Sequence, residues 1–152
     1  MTKIDALTFR TGLDAFLMLD AITESGIDHI AARKTFTGAP LYFGIEGLAQ
    51  LGAYHVRSRI GFARHAFLMK INDCRMTGRA ILDGSALLHG ARTGSSDAAY
   101  AYRLRLDIPG GVQMAGEFLF AVKPYASPAQ EEQMRSYYQE TYQCLVNATE
   151  TG

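Results

Sequence analysis

The residues of this sequence best placed for chemistry are a carboxylate and an amide four positions apart, Glu46 and Gln50, in the stretch GAPLYFGIEGLAQLGAYHVRSR that runs over residues 38–59. Between residues 41 and 55 Glu46 is the one formally charged side chain. Residues four apart stack on the same side of a helix, so the pair would look out together from an otherwise apolar segment. Two readings are open. A carboxylate in a first helical turn can simply answer the positive end of the helix dipole. Against that, the residue three before Glu46 is Phe43 and not Ser or Thr, so no capping box accounts for it. A carboxylate in apolar surroundings without a local structural task is a candidate acid or base, and such surroundings should raise its pKa while the helix N-terminus opposes the rise.

The element that must position this pair is a helix entered from a Gly38/Pro40 loop. Ile45, Leu48, Leu51, Val56 and Ile60 surround most of it, and Gly47, Ala49, Gly52 and Ala53 hold no neighbour away. A helix apolar nearly all round belongs in a core. It is too short to span a bilayer, and its glycines let another backbone approach, so a sheet wrapped around it is the expected neighbour.

The chain has 152 residues, enough for one domain with a substantial core. Fifteen Lys and Arg balance fifteen Asp and Glu with no basic run, which points away from nucleic acid and from an anionic membrane. The N-terminus lacks the long apolar core of a signal peptide and no later segment is long and apolar enough to cross a bilayer, so a cytoplasmic protein is expected. Cys74 and Cys144 have neither disulfide-framework nor zinc-site spacing and are expected to be unpaired packing residues. No motif calls for a cofactor or a metal.

Taken in order, residues 8–26 predict a short helix leading into a strand near 19–24. From 29 to 36 a weak alternation sets Ile30, Ala32, Lys34 and Phe36 against His29, Ala31, Arg33 and Thr35, a partly exposed strand. After the helix and a loop over 61–65, strands are predicted at 67–71, 75–82, 85–93, 98–106 and 112–122. Their turns are expected at Asp83-Gly84, over 94–97, and over 107–111. Tyr100, Tyr102, Leu104 and Leu106 form one face of the fourth of these. Turn signals about every ten residues indicate an antiparallel meander, and with one helix inside the sheet the class is α+β. The last element is a helix from 128 to about 147. Ser127 is its N-cap, Pro128 its first residue and Gln130 the partner of a capping box. Its stripe of Met134, Tyr138, Thr141, Tyr142 and Leu145 either packs on its own domain or binds a partner.

Assembled, these pieces resemble the hot-dog fold and, within it, the beta-hydroxyacyl-ACP dehydratases of fatty acid synthesis. The matching residues are Phe16-Leu17-Met18-Leu19-Asp20, Phe36 with Gly38 and Pro40, Gly44-Ile45-Glu46-Gly47-Leu48-Ala49-Gln50, and Gly116-Glu117-Phe118-Leu119-Phe120-Ala121-Val122. The helix block is most similar to the predicted dehydratases of aryl-polyene-type gene clusters. The resemblance implies a hot-dog domain over 1–126, an antiparallel sheet wrapped around a long central helix, with an extra C-terminal helix and tail over 127–152. It implies an active site at a dimer interface, where a loop His of one subunit works with the acid on the central helix of the other. Here the family's His-Phe-Pro-Gly-x-Pro reads Thr35-Phe36-Thr37-Gly38-Ala39-Pro40, so Thr35 stands where the catalytic His would be, and the segment from Pro40 to Glu46 is shorter.

On that resemblance Glu46 is the catalytic acid, Gln50 orients it, and Phe43 and Gly44 bind substrate, with a free Gly44 N–H serving the thioester carbonyl. The substrate is an acyl-ACP or acyl-CoA thioester, and the assembly is a homodimer or a heterodimer with a His-bearing hot-dog subunit. Dehydration of a 3-hydroxyacyl thioester needs a base, an acid and a donor for the enolate oxygen. His29 and His65 are better placed than His55 or His89 to replace the missing base. An acyl thioesterase that uses Glu46 alone, and an acyl- or carrier-binding subunit without turnover, are the alternatives.

Overall fold

The computed structural model describes residues 17–151, with side chains to 148. Strands β1 (Ala21–Ser25) and β2 (His29–Pro40) lead into helix α1 (Tyr42–Arg59). Strands β3 (His65–Thr77), β4 (Ile81–Ser95), β5 (Ala99–Asp107) and β6 (Gln113–Lys123) follow, and helix α2 (Pro128–Thr151) closes the order. The helix expected ahead of β1 falls largely outside the described residues.

All six strands form one antiparallel sheet in the order β1-β2-β4-β5-β6-β3, curved around α1. The predicted meander therefore holds for β4, β5 and β6 only. Strand β3 crosses to the far side and pairs with β6, while β2 takes the place beside β4. The crossing follows from α1, which carries the chain along the concave face from one flank of the sheet to the other.

Three expected breaks are absorbed into strands. Gly38, with φ 59°, sits in a β-bulge of β2 between Phe36 and Ala39 and donates its N–H to Asp83 Oδ1 at 3.0 Å. Pro40 is tolerated because β1 pairs only with residues 30–33 and leaves that side of β2 open. Leu41 is then the single residue between strand and helix, so the Gly/Pro loop is a bulged strand end. The segments 67–71 and 75–77 are one strand whose two irregularities lie between Leu68 and Lys70 and between Asn72 and Arg75. The β3–β4 turn falls at residues 78–80, and Asp83-Gly84 lies inside β4 opposite Phe36. The β5–β6 turn over 107–111 stands where it was predicted, closed by Ile108 N–H to Val112 O at 2.9 Å.

The inward rows follow the alternation read from the sequence. Ile30, Ala32 and Phe36 of β2 are buried, as are Tyr100, Tyr102, Leu104 and Leu106 of β5. Tyr100 pairs across the ladder with Phe120, Tyr102 with Phe118 and Leu106 with Met114. Against them α1 buries Leu48, Leu51 and Val56 completely. Each such side chain contributes about 1.5–3 kcal/mol on leaving water. The small residues set how near the layers come. A Cβ on Gly52 would lie 2.4 Å from the Phe120 ring, and one on Gly44 would lie 2.8 Å from the Met114 methyl.

Helix α2 packs on its own chain, one of the two expected alternatives. Tyr142 donates to Ser25 Oγ at 3.2 Å and lies 5.7 Å from Phe62, and Leu145 and Tyr137 are buried. Its capping box forms in shifted register: Gln130 N–H donates to Ser127 Oγ at 3.1 Å, and Gln130 Oε1 reaches the Ala126 N–H at 2.7 Å. Cys144 on this helix is exposed, so it is not the packing residue expected, because the buried stripe passes through Leu145. No helix among the described residues is long and apolar enough to cross a membrane.

Candidate active site

Glu46 is the fifth residue of α1, beyond the first turn, where the dipole's influence has faded. It is exposed in this chain, where the sequence called for an apolar setting, because the sheet covers the opposite side of α1. Gln50 holds it. Gln50 Oε1 accepts the Met18 N–H at 2.7 Å, which fixes the amide so that its Nε2 donates to Glu46 Oε1 at 3.1 Å. The four-residue spacing was legible; the Met18 anchor arises from the fold and pins the chain ahead of β1 to the same helix face.

Glu46 and Gln50 belong to the wall of a cavity of about 310 Å³. Ala49, Ala53, Tyr54 and Arg57 of α1 continue the wall, His65, Phe67 and Leu68 of β3 face them, and Tyr137 and Tyr138 of α2 close one end. Phe43 and Gly44 lie outside it. Phe43 packs at the core margin with its ring 5.0 Å from Tyr42. The Gly44 N–H, expected to be free, donates to Leu41 O at 2.9 Å in the tight opening turn of the helix.

The four histidines separate cleanly. His65, the first residue of β3 and not part of the preceding loop, is the one that shares the cavity with Glu46. Burial, helped by Arg57 and Lys123, lowers its pKa, which favours the neutral ring. It stands at the Arg57 end. His29 binds Glu24 at 2.7 Å on the sheet surface. His89 lies on β4 away from this cavity. His55 is completely buried: Nε2–H donates to Gly26 O at 2.8 Å and Nδ1 accepts from the Tyr102 hydroxyl. Because a carbonyl can only accept, the tautomer is settled, and burial holds the pKa of this ring below its ordinary value.

Sequence reasoning passed over Arg57, and its signal was present. It lies on the stripe 46, 49/50, 53, 57, the sole cation on that stripe of α1. The side chain is 8 % exposed, lies 3.7 Å from the Tyr138 ring centroid and 5.1 Å from that of Tyr54, and donates from Nη2 to Ala66 O at 3.2 Å. Burial pushes the Tyr54 hydroxyl well above its ordinary pKa, with Arg57 opposing.

An antiparallel sheet wrapped around a central helix, with a carboxylate and an amide on that helix facing a cavity, defines a hot-dog fold protein. No protein-family model matches the sequence, and no curated protein matches it. Among solved structures, the dehydratase heterocomplex ApeI:P of Xenorhabdus doucetiae aligns with a TM-score of 0.60 at 14 % identity, over 78 % of this chain and 89 % of that one. A thioesterase of Haemophilus influenzae aligns at 0.55 and 8 % identity over 70 % of this chain and 80 % of its own. A hypothetical thioesterase of Streptococcus pneumoniae solved with coenzyme A aligns at 0.54 and 11 % identity over 70 % and 87 %. Likeness at this level of identity carries the hot-dog fold.

Proposed function

We propose that this chain is one subunit of a 3-hydroxyacyl thioester dehydratase, with Glu46 as its acid and the base supplied by a His of a second hot-dog subunit. The observation that carries the reading is the Gln50-anchored Glu46 at the wall of a cavity that the small side chains of Ala49 and Ala53 also line. In the reaction the base removes the proton from the carbon next to the thioester carbonyl. Electrons move to form the double bond, and Glu46, in its protonated form, gives its proton to the departing hydroxyl, which leaves as water. Gln50 keeps the Glu46 carboxyl turned to that hydroxyl. His65 lines the same cavity from the start of β3 and is this chain's own alternative to a partner's His as the base.

A place for the second subunit is offered by β3. It is the terminal strand of the sheet, its flank carries Leu68, Met69 and Met76 at 37 %, 56 % and 40 % exposure, and it borders the cavity. Edge pairing would cover the open backbone edge of β3 and bring a partner's residues to the side of the cavity that β3 forms. The dehydratase heterocomplex among the fold neighbours is the kind of assembly that a chain with Thr35 at the His position calls for. The fold neighbours include proteins described as thioesterases, one of them solved with coenzyme A, and the exposure of Glu46 to water favours hydrolysis as the second reading, in which Glu46 activates water or attacks the thioester itself.

Mass spectrometry of 3-hydroxyacyl and saturated acyl thioesters incubated with the purified chain, with Glu46→Gln as control, tests both. Dehydration expected only after a His-bearing hot-dog subunit is added supports the proposal. Glu46-dependent release of free thiol by the chain alone would replace it with the thioesterase. Retention of thioester without turnover under every condition would leave a binding subunit.

A further inference from the structure

The wall of the cavity formed by α1 has a carboxylate at one end and a guanidinium at the other, and this polarity constrains the acyl group. Glu46 and Arg57 are eleven positions apart, about 16 Å along the axis at about 1.5 Å per residue, with Ala49 and Ala53 between them. With the reacting carbon at Glu46, as the functional reading above requires, the tail runs over the two alanines and its far end arrives at Arg57.

Arg57 is satisfied in part, by the Ala66 carbonyl and the two tyrosine rings, and holds no counter-charge among the described residues. Its Nε is buried with no hydrogen-bond acceptor, and no carboxylate of the described residues lies within 4.0 Å of it. The Ala66 carbonyl and stacking on Tyr138 and Tyr54 offset part of the cost of burying the guanidinium, but none of them carries a negative charge. A second cation stands nearby: Lys123 Nζ lies 5.3 Å from the ring centroid of Phe67, another lining residue. A methyl terminus would leave this end of the cavity as it is. A carboxylate would meet the fork of a guanidinium, whose geometry suits two parallel charge-assisted hydrogen bonds.

We infer that the acyl group this cavity accepts ends in a carboxylate, so that the ligand class is the half-thioester of a dicarboxylic acid, with Arg57 as its specificity determinant. The probes are pantetheine thioesters in pairs matched for chain length, one member methyl-terminated and the other carboxylate-terminated, titrated calorimetrically into the wild-type chain. Binding needs no turnover, so the result does not depend on a partner's base. The carboxylate member is expected to bind roughly 10- to 100-fold more tightly at one favoured length. That preference should vanish in Arg57→Met and survive in part in Arg57→Lys, which keeps a charge if the methionine variant does not fold. Equal or tighter binding of the methyl-terminated member overturns the inference while leaving the dehydratase reading intact. Failure of every thioester to bind overturns both.

Discussion

At the residue scale the two buried polar side chains, His55 and Arg57, differ in how far they are satisfied, and their expected behaviour differs accordingly. His55 is neutral in the folded protein with both ring nitrogens engaged, and its folded pKa lies below the ordinary 6.5. The unfolded chain therefore binds a proton there that the folded one refuses. Stability is complete above about pH 6.5 and falls as the pH drops below it, by up to about 1.4 kcal/mol per pH unit for one such group. His65 and His89 are lowered as well and act in the same direction. Urea midpoints between pH 8 and pH 5 should show this slope, and His55→Gln should be less stable at pH 8 yet show a shallower acid loss. An unchanged slope would remove His55 as its source. Gln50→Ala is expected to cost about 1 kcal/mol, because the Met18 N–H loses its acceptor. On the dehydratase proposal it should also lower kcat more than it raises KM when assayed with a His-bearing subunit, since Gln50 would then position the acid.

At the element scale the depth of α1 in the sheet is set by its glycines. In an exposed helix Gly→Ala gains about 1 kcal/mol. Gly52→Ala should instead destabilise by about 1–3 kcal/mol, because the new methyl meets the fully buried Phe120 ring, which has nowhere to go. Gly94→Ala, with nothing within 4 Å, should be close to neutral by the same denaturation measurement. Helix α2 contributes Tyr137 and Tyr138 to the lining of the cavity. Its Ser127 cap is a local stake: Ser127→Ala should lower stability by about 1 kcal/mol through the lost bond to the Gln130 N–H.

At the scale of the whole molecule the proposed second subunit and the exposed β3 edge are tested together. Met69 is the most exposed apolar residue on that edge. Met69→Lys should leave the folded chain's circular dichroism unchanged while preventing association with itself or with a His-bearing hot-dog chain, as read by light scattering. If the variant assembles as the native chain does, another surface joins the subunits. Since Met69→Lys leaves Glu46 and Gln50 untouched, any accompanying loss of dehydration would be attributable to assembly.

The sequence by itself determined what local periodicity and composition can carry. The apolar wrap of residues 45–60 made a core helix, the alternation of Tyr100, Tyr102, Leu104 and Leu106 gave a strand with one buried face, and Ser127 with Gln130 marked the start of α2. The Glu46–Gln50 spacing was legible because a helix places residues four apart side by side. Only the tertiary structure decided which strands pair, since hydrogen bonding between distant segments leaves no local trace: β3 went to β6, and Gly38 and Asp83-Gly84 became strand interior once their neighbours fixed the register. It also decided environment. Glu46 came out exposed, the Gly44 N–H was taken by Leu41, and Arg57 was enclosed by Tyr54, Tyr138 and Ala66, three contacts contributed by α1, α2 and β3. Burial and charge compensation are sums over residues far apart in the chain, and so they exist only once the chain has folded.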